Sequence, residues 1–400
     1  MKILISSKNS AYTVGSVGGA ETSMKLLAEK LAERGHNVIY LSRGDSVFRK
    51  KRMKEKGVRV ILYPFIRLNY LKKMRGWPRK IAEGIVNRIN YKRMDSIVKS
   101  RVGIDSVDVV YTYYELPVLR YFSVLKEDEG YSYKMIMRMA GLYWYEDILQ
   151  NDNKKNVYEN LFNTVDSVNF ISDGIKKLTY SRAEEMGMNL NFQHHFVGDI
   201  GTETKAGNRR AKVSDEECFT VLCAGRFSIK QKRQDILVEA VRLMKHKKQI
   251  RVKLIGEGDN KNNILNLIRS CQLEDIISVH PFMKPEQLQD EMHNADLLCH
   301  PCDYEGLGKI IVESMTRGLP VMVSNVVPLN LYITNRKTGF LVENNPAAWA
   351  EKLDDIIENS HSLNSISEKA KEYAGEYFNA DKNIVLYEDV FRKMINNGNK

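Results

Sequence analysis

Long apolar runs are missing from this 400-residue chain: none reaches the roughly 18 residues that a membrane-spanning helix needs. The opening MKILISSKNS lacks an extended apolar stretch followed by a small-residue cleavage site, so it reads as a first buried strand rather than a signal peptide. Cysteines are few, odd in number and unevenly spaced (218, 223, 271, 299 and 302), which fits a reducing compartment better than a disulfide framework. The C-x-x-C of CHPC (299–302) has no second pair, so it reads as two strand-end cysteines rather than a zinc or redox centre, and no metal is expected. Low-complexity tracts are absent and the hydrophobic fraction is 43%, which excludes a disordered chain. There is no spaced G-x-G-x-x-G dinucleotide fingerprint and no histidine between His36 and His194. What remains is a cytoplasmic protein of two-domain length.

The charge is uneven. Arg43 to Arg101 holds 19 basic and four acidic residues, so this segment carries +15 and the rest of the chain −4 of a net +11. Between Phe48 and Lys99 the cations are interleaved with Phe65, Tyr70, Leu71, Trp77 and Tyr91. The predicted helix RKIAEGIVNRINYKRM places apolar residues at 81, 85 and 89 with cations on other faces. That pattern suits peripheral contact with an anionic membrane surface, the plain alternative being a solvated charged face. No nucleic-acid module accompanies the charge, and no nucleic-acid partner is expected.

Strand and helix patterns alternate from the start. KILISS (2–7) is a strand, ETSMKLLAEKLAERG a helix with apolar residues at 24, 27, 28 and 31, and HNVIYLS a second strand. VRVILYP, DVVYTYY, KMIMRMA and SVNFIS continue the series, with helices near 79–100, 117–126, 154–163 and from Asp173, which reads as an N-cap. A polar stretch, 198–217, breaks the rhythm and reads as a linker, with His194 and His195 leading into it. FTVLCAGR, VKLIG, ISVHPF, DLLCHP and PVMVSN restart it, and the end is helical in three pieces from Pro346. The fold class is α/β, with two Rossmann-like, doubly wound domains. The expected division is 1–197, a linker at 198–217, and 218–379.

Ligands of open parallel sheets sit outside the carboxyl ends of the strands. Three segments fall there. GGAE (18–21) lies between the first strand and helix, where Gly18 and Gly19 allow close backbone approach and a helix N-terminus favours negative charge. AGRFSIKQKRQD brings Arg226 and Lys232 to a strand end, where they could clamp a diphosphate or form a solvated basic loop. YEGLGKIIVESMTRGLPVMVSN places Glu305 in a strand-end loop and Glu313 in the second turn of a helix starting near Leu307 or Gly308. Eight residues of ideal helix span ~12 Å, too far for a carboxylate pair sharing a proton. The two glutamates suit different hydroxyls of one extended ligand.

Together these segments resemble family 4 glycosyltransferases, of the GT-B fold and the retaining type, which implies two domains facing across a cleft and a helix at 380–400 that completes the first domain. GGAE resembles the family's glycine loop, GRFSIKQKRQDILVEA its Gly-Arg…Lys block, and VKLIGEGDN its second glycine segment. YEGLGKIIVESMTRGLPVMVS resembles its Glu-x7-Glu signature, and TGFLVENN the segment that follows. The resemblance implies a UDP- or GDP-linked sugar donor as substrate, no cofactor and no metal. It implies that Arg226 and Lys232 neutralise the diphosphate, Glu313 takes ribose hydroxyls and Glu305 a hydroxyl of the sugar. Amides of Gly306, Leu307, Gly308 and Lys309 would face the sugar, Gly19 the phosphate, and Phe282 and Met283 the base. The acceptor it implies is a growing glycan on a lipid, at the inner face of the cell membrane.

The chain also departs from the pattern. The family's N-domain histidine has no counterpart in RMAGLYWYED, leaving Arg138 or a main-chain group to cover the role. NVVPLNLYI stands where a Gly-Gly and a Glu are common, and Lys309 where an apolar residue is; Lys309 could face solvent or an anionic donor sugar. Alternatives kept open are a soluble GT-B synthase, a sugar-nucleotide epimerase and a catalytically degenerate sugar-nucleotide-binding subunit.

Overall fold

The structure, a computed structural model, describes residues 1–9, 11–12, 18–44, 46–48, 51–68, 76–203, 218–228 and 231–397. The chain forms two compact units, Met1–Ile200 with Ala380–Lys400, and Gly201–Asn379. Most of the expected linker, 204–217, lies outside the described residues.

The first unit holds β1 (Lys2–Ser7), β2 (Asn37–Arg43), β3 (Lys51–Glu55), β4 (Val58–Tyr63), β5 (Val109–Tyr113), β6 (Lys134–Met139), β7 (Ser167–Phe170) and β8 (His195–Val197). They form one sheet in the order β3-β4-β2-β1-β5-β6-β7-β8. Every pairing is parallel except β3 with β4. The central strands are mostly apolar and buried on both faces, as a covered parallel sheet requires. β3 (KRMKE) is exposed or half-buried throughout, and its charge suits an edge. The helices are α1 (Gly19–Glu33), α2 (Gly76–Ile97), α3 (Leu116–Glu127), α4 (Tyr143–Gln150), α5 (Lys155–Asn163) and α6 (Asp173–Glu185). The N-cap of α6 is Ser172, whose Oγ accepts from Ile175 N at 3.2 Å, so Asp173 is the first helical residue rather than the cap. His195 begins edge strand β8 and packs edge-on against Phe170 at 6.0 Å, which replaces the expected linker role.

The second unit holds β9 (Phe219–Ala224), β10 (Ile250–Ile255), β11 (Ile277–His280), β12 (Leu297–His300), β13 (Val321–Ser324) and β14 (Phe340–Val342). All are parallel, in the order β11-β10-β9-β12-β13-β14. Its helices are α7 (Gln234–Leu243), α8 (Lys261–Ser270), α9 (Pro285–Asn294), α10 (Lys309–Thr316), α11 (Leu329–Tyr332), α12 (Pro346–Glu358) and α13 (Leu363–Tyr377). From β9 the chain winds out to β10 on one side and later returns to β12 on the other. The crevice between β9 and β12 is therefore the topological switch point of this sheet, where ligands bind in open α/β folds.

The last helix, α14 (Ala380–Asn397), belongs to the first unit. It buries Ile384, Tyr387, Phe391 and Met394 in the core that holds Ile3, Ile5, Tyr40 and Tyr111. Polar contacts fix its register: Tyr387 OH donates to Gly198 O at 3.0 Å, and Asn383 Nδ2 donates to Asp199 O at 2.9 Å.

Candidate functional site

Residues 73 positions apart meet at the switch point because the two strand-end segments pair. Lys232 forms a bridge with Cys302, Arg233 N donates to Pro301 O at 3.0 Å, and Asp303 N donates to Gln231 O at 2.9 Å. This clamp sets the Lys232 ammonium against the Glu305 carboxylate in a hydrogen-bonded ion pair, with both side chains only 12% and 13% exposed. His300, at the end of β12, completes the group. Its Nε2 lies 2.9 Å from Lys232 Nζ and 3.0 Å from Glu305 Oε2. Burial alone would raise the Glu305 pKa; the Lys232 ammonium, foremost, outweighs it and holds the carboxyl well below the ordinary range. The other oxygen, Oε1, accepts from Gly306 N at 2.9 Å. That amide, which the resemblance places at the sugar, here donates to Glu305.

α10 starts at Lys309, one or two residues later than expected, because Gly308 takes φ 73° and ends the loop in the left-handed region. A Cβ there would lie 2.6 Å from Ile311 Cδ1. Residues 305–308 are therefore not helical, and the ideal-helix separation does not apply to the two glutamates. Leu307 is buried, its carbonyl accepting from Tyr332 OH at 2.5 Å. Tyr332 stands on α11, formed by the NVVPLNLYI segment, so this departure from the family pattern braces the glutamate loop from behind. Lys309 is half-buried and its Nζ reaches Gly201 O at 3.3 Å, which corrects the solvent-facing expectation. Glu313 is half-buried between Lys309 and Arg317, one turn away on either side. Burial pushes its pKa up, and the two cations oppose the shift. Among the described residues no hydrogen bond reaches its carboxylate, and such a group can accept from a ligand's hydroxyls.

Arg226 is exposed just beyond β9, and among the described residues its side chain makes no hydrogen bond or ion pair. Its neighbours are held by backbone pairing: Gly225 N donates to Ile255 O and Phe227 N to Glu257 O, both at 3.0 Å. The glycines of LIGEG serve that approach, since a Cβ on Gly256 or Gly258 would lie 2.0 Å from the Gly225 or Phe227 carbonyl oxygen. Phe282 (43% exposed) and Met283 (half-buried) lie on the loop after β11, the edge strand of this sheet. Gly18 and Gly19 belong to the other unit, at the start of α1. Cys299 and Cys302 are free and buried, the Cys302 thiol pushed up to about 12 chiefly by burial.

In the first unit Arg138 does not stand at an open strand end. Its Nη2 donates to Asp199 Oδ2 at 2.7 Å, with side chains 4% and 2% exposed. Burial works against its charge, but Asp199 and the tyrosines at 111, 387 and 113 more than offset it. Strand-end polar groups of this unit include Glu115, which accepts from Lys8 N at 3.1 Å, and Arg43, stacked over Phe65 at 5.0 Å.

The sequence reading overlooked His300. The signal was present: a lone polar residue closing an otherwise apolar strand, LLCH, immediately before the glutamate loop. Asn344, in VENN, was also passed over; its Nδ2 donates to Cys302 O at 2.8 Å, and its Oδ1 accepts from Ser324 Oγ, which accepts from Cys302 N.

Residues 204–373 match the model of the glycosyl transferases group 1 family. An uncharacterized glycosyltransferase of Haemophilus influenzae is 21% identical over 371 residues, covering 91% of this chain and 94% of the relative. Among solved structures, sucrose-phosphate synthase from Thermosynechococcus elongatus superposes with a TM-score of 0.80 at 18% identity, covering 98% of each chain. Anabaena HepE in complex with UDP and glucose gives 0.72 at 18% identity, over 98% of this chain and 100% of the other. Residues 204–373 thus match the glycosyl transferases group 1 family, and the chain as a whole has the GT-B fold of these neighbours.

Proposed function

We propose that this glycosyltransferase moves a sugar, with retention of configuration, from a UDP- or GDP-linked donor to a growing, lipid-linked glycan. The observation that carries this reading is the group Lys232–His300–Glu305 at the switch point of the second unit, with the half-buried Glu313 on the helix that follows. A leaving diphosphate needs positive charge placed where negative charge develops, in surroundings that exclude water. Lys232 supplies a buried ammonium, and Arg226 an exposed planar fork that can turn onto a phosphate. Glu313 accepts from the ribose hydroxyls and Glu305 from a sugar hydroxyl. The departing phosphate oxygen takes the acceptor's proton as the new bond forms on the face the leaving group vacates. Positive charge at the diphosphate comes from side chains, without a divalent metal. The likeness to HepE with UDP and glucose supports a uridine donor among the candidates.

A thermal-shift screen of the purified protein against UDP, GDP and their sugars tests the donor site. One nucleotide at 100 times its Kd adds about 2.7 kcal/mol to stability. Glu313→Ala is expected to remove that shift while melting, ligand-free, within a few degrees of the native protein. A shift that survives Glu313→Ala takes the ribose role from Glu313.

The lipid-linked acceptor draws support from α2. Ile81, Ile85 and Ile89 recur every four residues and are 42%, 56% and 37% exposed on one helix face. Arg79, Lys80, Arg88 and Lys92 are exposed beside them, and Phe48 is 86% exposed. The inner side of α2 is held by Asn90, whose side chain bonds Ile66 N and O at 2.9 Å each. Tyr70, Leu71 and the side chain of Trp77 lie outside the described residues. Among the described residues no helix is long and apolar enough to cross a membrane, so contact would be peripheral. Each cation near an anionic surface contributes about 1 kcal/mol. Flotation is expected to recover the protein with anionic vesicles at low salt and not with neutral ones. Ile81→Ser/Ile85→Ser/Ile89→Ser is expected to lower that recovery several-fold, and equal recovery on both vesicle types would end the membrane assignment.

A further inference from the structure

The His300 imidazole is used by none of the roles above. It is 3% exposed, and the other residues of β12 (Leu297, Leu298 and Cys299) are apolar and buried. A polar ring in such a strand costs free energy unless it is partnered. Its Nε2 has two neighbours of opposite demand, Lys232 Nζ at 2.9 Å and Glu305 Oε2 at 3.0 Å. An ammonium only donates and a carboxylate only accepts. One nitrogen cannot satisfy both: unprotonated, Nε2 accepts from Lys232; protonated, it donates to Glu305.

Building on the donor-site reading, we propose that His300 is a positioning residue that takes Glu305 over from Lys232 when the donor diphosphate draws Lys232 away, gaining one proton from solvent on Nε2 as it does so. Without such a partner, the departure of Lys232 would leave Glu305 buried and uncompensated, a cost that opposes donor binding. The charged groups facing the ring are Lys232, from the segment after β9, and Glu305, from the loop after β12. The Cys223 and Cys302 thiols face Lys232, and the Tyr332 hydroxyl faces Glu305; burial keeps all three neutral. Before the donor binds, burial and then Lys232 hold the imidazole pKa below its ordinary value, so the ring is neutral at pH 7 and accepts from the ammonium. Once Lys232 turns to the diphosphate, a cation leaves the ring and negative charge arrives. Both changes favour the imidazolium, and the carboxylate beside it then has a charged donor.

Isothermal titration of the full chain with UDP-glucose and GDP-glucose, at pH 7.5 in two buffers of different ionisation enthalpy, counts the protons exchanged. The diphosphate of a sugar nucleotide is a diester that does not titrate near neutrality, so the count reports the protein. Uptake of about 0.5–1 proton is expected, with Kd weakening by up to about tenfold per pH unit between the imidazole pKa of the free protein and that of the complex. His300→Gln is expected to bind with no uptake. Lys232→Met, in which His300 already faces Glu305 alone, is expected to bind more weakly and also without uptake. Binding by the native protein with no proton uptake overturns the inference, as does uptake undiminished in His300→Gln. Failure of both sugar nucleotides to bind the native protein removes the donor-site reading, and this inference with it.

Discussion

Lys232→Ala is expected to lower the turnover of sugar transfer by about 10²–10³-fold, the usual loss when one charge-stabilising donor is removed from a buried site. The same change should destabilise the second unit by about 3 kcal/mol, because Glu305 loses the cation that offsets its burial. The two effects can be separated. In the native protein the folded Glu305 pKa lies below its unfolded value, so the pair's stability is present above pH ~4.3 and fades as pH falls through the folded pKa. With Lys232 gone, this carboxyl loses its chief lowering influence and its pKa moves upward. Protonation of His300 in mild acid then gives the carboxylate a charged donor in place of the ammonium, so lowering the pH narrows the stability gap to the native protein. Melting of both proteins between pH 4.5 and 8 checks this. Lys232→Ala/Glu305→Gln should recover most of the lost stability and none of the activity, since both donor-site roles are then missing. Full activity in Lys232→Ala would remove the diphosphate clamp from the mechanism.

The alternation of buried strands and amphipathic helices was legible in the sequence, because central strands such as KILISS and FTVLCA have no polar interruption and helices such as α1 carry a 3.6-residue stripe. Elements whose stability comes from elsewhere were not. β3 (KRMKE) is a charged edge held by antiparallel pairing to β4, and a local pattern cannot report a partner. α4 follows RMAGL and is short, with aromatic residues that suit a strand equally well, so its sequence carries two readings. At the site, residue types and order pointed to Arg226, Lys232, Glu305 and Glu313, but not to their company. That Lys232 and Glu305 pair in the ligand-free protein follows from the clamp between 231–233 and 301–303, a tertiary contact. His300 and Tyr332 support the glutamate loop from β12 and α11, and only the fold brings them there.

Asp199→Ala is expected to be among the most destabilising single changes in the first unit, costing about 3–5 kcal/mol. The reason is what it leaves behind. Arg138 is 3% exposed, and its Nη1 is a buried nitrogen with no hydrogen-bond partner among the described residues, so its charge depends on Asp199. The surrounding hydroxyls are neutral and cannot replace that counter-charge: Tyr111 OH donates to Asn169 Oδ1 at 2.7 Å, and Tyr387 OH to Gly198 O at 3.0 Å. Truncating Asp199 therefore strands a guanidinium in the core where α14 closes the unit. The melting transition of that unit should fall by roughly 6–20 °C. Arg138→Met/Asp199→Ala removes both charges and should return most of the loss, because an apolar replacement needs no counter-charge. The double variant also decides a functional question. If Arg138 is a structural cation, transfer activity at a temperature where both proteins are folded should match the native enzyme within a few-fold. A loss of 10²-fold or more in kcat with the fold intact would return Arg138 to the reacting centre, in the place left by the absent histidine.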